Sequence, residues 1–281
     1  MPAQGTPLPR TTSAPALVSG LLLAFAALHL VTVWTPPGQW AENALIRGYA
    51  DQARALPLTG PWGLPPLTHE EAAVAAGLAL IAVVTAVRRC WRAGCTAVAT
   101  LVVTTGGTEA LKRFVFVRPD LVGADDNLTE ASFPSGHVAI TAALALGFVA
   151  VASPRLRGGV AALGALWVAV AAGAVQALYW HRPSDVLGAV LLACACYAAA
   201  RHLIGTGPAP DAPRRRATLP LVLSAVGALV AASRTDAVAR PLVFSAAAFV
   251  CAVLVWWVAT RPASEGAAAV PERRRPARSA R

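Results

Sequence analysis

The chain has 281 residues, 56% of them hydrophobic and 14% charged, with a net charge of +10. Its apolar residues come in long runs parted by short arginine- and proline-rich breaks, a pattern that excludes an ordinary water-soluble domain and fits a chain that crosses a membrane repeatedly. The basic residues are divided among tails and short loops instead of lining one face, which argues against nucleic acid as a partner.

A bilayer core of about 30 Å needs roughly 20 apolar helical residues. Eight windows qualify in chain order: 16–34, 72–87, 94–111, 134–153, 158–180, 183–204, 219–232 and 241–260, the seventh being the shortest. The first is longer than a signal-peptide core and has no persuasive cleavage site after it, so it reads as a retained helix. The expected architecture is all-α: a polytopic transmembrane bundle of about eight spans with both termini cytoplasmic. Residues 1–15 form a disordered tail, 16–69 the first span and an outer loop, 70–204 a core of five spans, 205–260 two further spans, and 261–281 a basic tail.

Orientation follows from arginine placement, because basic residues in short loops stay on the cytoplasmic side. With the N-terminus inside, most of the 24 basic residues fall on that side, including Arg88, Arg89, Arg92, Arg155, Arg157, Arg201, Arg214, Arg215, Arg216 and the C-terminal cluster. Trp34, Trp62, Tyr179 and Trp180 then lie near the outer boundary, and Trp91, Trp256 and Trp257 near the inner one, as aromatic belts do. The expected location is the inner (plasma) membrane. None of the five cysteines is placed for an extracytoplasmic disulfide, and Cys90 and Cys95 have no companions for a zinc site.

In the loop 36–69, the stretch WAENALIRGYADQARAL reads either as an interfacial helix, with Trp40, Leu45, Ile46, Tyr49 and Ala53 on one side, or as a solvated connector. Thr68 and Glu71 have capping-box spacing at the start of the second span.

Three polar clusters interrupt the apolar background, and the topology brings all three to the outer face. The first contains Lys112, Arg113 and Arg118, with Glu109 spaced to pair with Lys112. The second is Pro134-Ser135-Gly136-His137, opening the fourth span. The third runs from Trp180 through His181, Arg182 and Ser184 to Asp185. Lys112 and Arg118 supply fixed positive charge for phosphate oxygens. Ser135 and Gly136 stand where a helix N-terminus presents free N–H groups. His181, four residues before Asp185, has the spacing of an imidazole oriented by a carboxylate, and His137 can carry a proton. Each element alone has a plainer reading: a structural His–Asp bond, basic side chains reaching the interface, a serine cap. Their convergence on one face favours a site. His29 and His202 lack such company and read as structural.

At these residues the chain resembles the type 2 phosphatidic acid phosphatase superfamily of integral-membrane lipid phosphate phosphatases, whose fold is shared with soluble vanadium haloperoxidases. The matching residues are Lys112 with Arg118-Pro119, the whole of Pro134-Ser135-Gly136-His137, and His181 with Asp185, within residues 70–204. Two positions depart from the family pattern. Five residues instead of six separate Lys112 from Arg118, which makes Arg113 an alternative cation. Ala174 and Val175 stand where the family has Ser-Arg, leaving Arg182 as the candidate for the missing arginine.

The resemblance implies hydrolysis of a lipid phosphomonoester or polyprenyl diphosphate at the outer face, without metal or cofactor. His181, oriented by Asp185, forms a phosphohistidine while His137 protonates the leaving oxygen; Lys112, Arg118, Ser135, Gly136 and Arg182 hold the phosphate. The Ala-, Arg-, Gly- and Pro-rich composition suggests a bacterial source. A non-catalytic or transport membrane protein that binds anionic headgroups is the alternative. The oligomeric state and the role of the last two spans have no signature in the sequence.

Overall fold

The computed structural model describes residues 13–46, 66–205, 217–233 and 239–261. The expected disordered tails, apart from residues 13–15 and 261, lie outside these residues, as do Trp62, Arg214 to Arg216 and the second half of the expected interfacial helix. The regular elements among the described residues are all helices. The helices are α1 (Ala14–Val33), α2 (Pro36–Ile46), α3 (Glu70–Arg88), α4 (Trp91–Ala110), α5 (Asp126–Thr129), α6 (Gly136–Val151), α7 (Pro154–Ala177), α8 (Pro183–Ile204), α9 (Thr218–Ala232) and α10 (Ala239–Thr260).

Helix boundaries follow simple chemistry. Pro154 and Pro183 sit in the first turns of α7 and α8, where a missing N–H costs nothing. Gly205 closes α8 at φ 65°, a conformation that favours glycine. The expected cap at Thr68 is not used: α3 starts at Glu70 with His69 as N-cap and no side-chain cap bond.

Five helices are long and apolar enough to cross a membrane: α1, α3, α7, α8 and the 240–260 part of α10. The expectation of eight spans is therefore met by five on length and composition. α6 and α9 are apolar but shorter. α4 has the length, but its threonines dilute its apolarity; Thr96 and Thr100 return their hydroxyls to the carbonyls of Arg92 and Thr96, at 2.9 and 2.7 Å. Such self-satisfied hydroxyls suit a helix buried among others.

The core is built around α6, whose residues from Val138 to Val151 are almost all buried. It is surrounded by α3, α4, α7 and α8, while α1 packs on α8 and α10 on α7, α8 and α9. Small residues allow these approaches. A Cβ on Gly164 would meet that of Ala145 at 2.9 Å, and one on Gly147 would meet Ala97 at 3.4 Å. The outer helices turn leucine and valine outward, including Leu23, Val87 and Leu203. This inverted distribution suits a hydrocarbon solvent.

Candidate active site

The site forms where three helix ends meet. α6 starts at Gly136, and Ser135 caps it, its hydroxyl oxygen accepting from Val138 N–H at 3.5 Å. Ser135 is fully buried, and its own N–H donates to the Asp185 carbonyl at 3.0 Å, which ties the head of α6 to that of α8. Gly136 and His137 are the first two residues of α6, so their N–H groups have no partner within the helix. Phe133, just before, is buried against Phe25, His29 and Phe116. The His29 ring stacks on Phe116 at 3.9 Å and accepts from Trp34 Nε1 at 3.2 Å, a structural setting.

His181 arrives through a tight turn after α7. The N–H groups of Trp180 and His181 both donate to the Val175 carbonyl, at 3.0 and 3.3 Å. Ala174 and Val175 are fully buried, so the two positions that depart from the family pattern shape the turn that carries the histidine. His181 Nδ1 lies 3.4 Å from Asp185 Oδ2, and the same oxygen accepts from Arg182 N–H at 2.9 Å. Asp185 is wholly buried, and its Oδ1 has no hydrogen-bond partner among the described residues. The two histidine rings are 6.0 Å apart between centroids, with Trp180 beside His137 at 5.4 Å.

α4 ends in a single π turn, Leu111–Val115, closed by Phe116 N–H donating to the Leu111 carbonyl at 2.7 Å. This turn carries Lys112, whose Nζ stands 3.6 Å from where a Cβ on Gly136 would be. The missing side chain at 136 thus opens the helix N-terminus to the ammonium group. Glu109 pairs with Arg113, at 3.5 Å, in place of the expected Lys112.

Arg118 and Arg182 converge on one acceptor. Their Nη2 atoms donate to Asn43 Oδ1 at 3.1 and 3.3 Å. Arg182 is buried and also donates to Ser132 Oγ at 2.7 Å and to the Leu128 carbonyl at 2.6 Å. These bonds commit most of its donors to protein groups. Arg118 is half-buried; burial and the neighbouring Arg182 push its pKa down to about 10, leaving it charged at neutral pH.

Asn43 belongs to α2, and here the structure differs from the sequence reading. The buried face of α2 is Gln39, Glu42, Asn43 and Ile46, while Trp40 is exposed. Gln39 donates to the carbonyls of Val33 and Pro119 and accepts from Leu121 N–H, at 2.7, 2.6 and 3.2 Å. Glu42 takes the Ser184 N–H at 3.0 Å and hydroxyl at 2.6 Å. Burial, helped by the nearby Asp185 charge, pushes the Glu42 carboxyl up to about 7. The helix docks by its polar side because the surface it covers is the charged head of the bundle. Residues 39, 42, 43 and 46 share a face at helical period, but the spacing does not say that this face is the buried one.

A second residue missed by sequence reasoning is Glu70, the first residue of α3. Its Oε1 lies 3.2 Å from His137 Nε2. Nothing in its local sequence marks it, since only the depth of the helix start brings it to the histidine. Among the described residues no group of three or more His, Cys, Asp or Glu is arranged to hold a metal ion.

Fixed cations, free helix N–H groups and an imidazole backed by a carboxylate form the chemistry of a phosphoryl-transfer site. The family model described as the PAP2 superfamily matches residues 91–207. No curated protein and no solved structure matches the chain.

Proposed function

We propose that this chain, whose residues 91–207 match the model described as the PAP2 superfamily, hydrolyses a lipid phosphomonoester or polyprenyl diphosphate through a covalent histidine intermediate. The observation that carries the reading is the pairing of His181 with the buried Asp185, opposite His137 across 6.0 Å. With Nδ1 turned to Asp185, the His181 Nε2 lone pair attacks phosphorus, and the bond from phosphorus to the leaving oxygen breaks. His137 gives that oxygen its proton. In the second step His137 takes a proton from water, the resulting hydroxide oxygen bonds to phosphorus, and the P–N bond breaks to release phosphate.

Lys112, Arg118 and the N–H groups of Gly136 and His137 hold the equatorial oxygens, and no metal takes part. Arg182 acts mainly through the frame that sets Arg118 and Asp185. Glu70 faces His137 and stabilises it when it carries the proton. A headgroup reaches this end of the bundle while its chains stay in hydrocarbon, which favours a lipid over a soluble ester. By the arginine bias, the site faces the extracytoplasmic side.

The test is phosphate release by the purified full chain from a panel of phosphatidate, phosphatidylglycerophosphate and polyprenyl diphosphate, with chelator present. His181→Ala should lower turnover at least about a thousandfold. Activity unaffected by that change, or turnover of no substrate in the panel, defeats the catalytic reading and leaves headgroup binding alone.

A further inference from the structure

At the end of the bundle remote from the histidines lies a cavity of about 380 Å³. Ala150 of α6 and Tyr197 of α8 are on its wall, and helix rise puts them about 21 and 18 Å along their helices from Gly136 and Asp185. Four arginines line it: Arg89, Arg92, Arg157 and Arg201. No carboxylate is among the lining residues, and the ion pairs of the described residues involve none of the four. Arg157 Nε is enclosed without a hydrogen-bond partner among the described residues.

The first turn of α4 faces the same space, through Cys90, Trp91, Arg92 and Ala93. Cys90 provides no side-chain cap, and the first N–H of this helix to find a backbone acceptor is that of Gly94, donating to the Cys90 carbonyl at 3.0 Å. Three N–H donors and the positive end of the helix dipole therefore add to the four guanidiniums. Arg201 donates from Nη1 to the Arg261 carbonyl at 3.4 Å and lies 5.5 Å from the Tyr197 ring. No carboxylate balances the four charges, however, and such a concave site calls for an anion with several oxygens. Trp91 also begins an apolar groove of about 580 Å³, which continues past Gly94, Cys95 and Val98 to Val102 on α4. From Trp91 to Val102 is about 16 Å along the helix.

We infer that this end of the bundle binds an anionic phospholipid, its phosphate among Arg157, Arg201 and the α4 N-terminus and an acyl chain along the groove. The site is separate from the histidines and does not depend on the phosphatase reading. Inorganic phosphate shares the headgroup chemistry but has nothing to place in the groove, and this distinguishes the two sources.

Cys90, half-buried in the cavity wall, gives a local readout. The full chain is placed in phosphatidylcholine nanodiscs, and alkylation of Cys90 by a small uncharged maleimide is followed by peptide mass. Adding phosphatidylglycerol well above its Kd should slow the reaction about tenfold, while inorganic phosphate should slow it little. Arg157→Gln with Arg201→Gln should abolish the protection. Arg92→Gln, at the exposed rim, should weaken it, and serves if the double variant does not fold. Equal protection by inorganic phosphate overturns the lipid assignment. Absence of protection by either, or full protection in the variants, overturns the site.

Discussion

Asn43 lends one amide oxygen to two guanidiniums, an economical way to keep like charges side by side. Truncation to alanine removes that oxygen and frees Arg118 to swing away from the proposed phosphate position. KM for the lipid phosphate should rise about tenfold, the loss of roughly one charge-assisted hydrogen bond, with kcat changing less. Steady-state kinetics on Asn43→Ala checks this. Glu42 makes a different, pH-dependent contribution. Its carboxyl is raised from 4.5 to about 7, so between these values the unfolded chain has lost a proton that the folded chain keeps. Folded stability should fall as pH rises through that window and level off above it. Thermal unfolding of wild type against Glu42→Gln should show the wild type losing relative stability from about pH 4.5 to 7; a constant difference contradicts the assignment. The histidines, Asp185, Lys112 and Arg118, which the structure brings to one end of the bundle, could be singled out because they stand in short motifs whose chemistry constrains spacing. Asn43 and Glu70 were not, because each gains meaning only from what another helix brings to it.

At the level of elements, the helix positions could be read closely, since long apolar runs and the proline and glycine stops leave little freedom. The face of α2 could not. An amphipathic pattern shows that two sides differ, and the usual assumption that the apolar side is buried fails where the partner surface is charged. The head of α6 is held by packing as much as by hydrogen bonds. Phe133 lies against Gly188 of α8, where an added Cβ would stand 2.5 Å from the ring. Gly188→Ala should therefore push Phe133 aside and destabilise the fold by about 1–3 kcal/mol. Because Ser135 and His137 follow directly, activity should fall beyond what lost stability explains. Unfolding temperature and specific activity, measured together, separate the two effects.

For the molecule as a whole, the all-helical, membrane-type character was plain from composition, whereas the count of spans was not. A window of apolar residues does not reveal whether a helix meets lipid or only its neighbours. α6 is the clearest case, because enclosure by other helices releases it from the length that lipid demands. The orientation inferred from arginines has a direct test. With native cysteines replaced, Asp126→Cys, an exposed site on α5, the short helix whose Leu128 carbonyl accepts from Arg182, should react with a membrane-impermeant thiol reagent in intact cells. Reaction only after permeabilisation would reverse the topology.

Glu42, Asn43 and Glu70 all precede residue 91, yet they meet Ser184, the two arginines and His137, which follow it. The segment 91–207 is therefore no interchangeable cassette. A chimaera that grafts it behind a foreign N-terminal third would inherit both histidines and Asp185 while leaving Arg118 and Arg182 without their common oxygen. Any such recombination has to carry α2 and the start of α3 along.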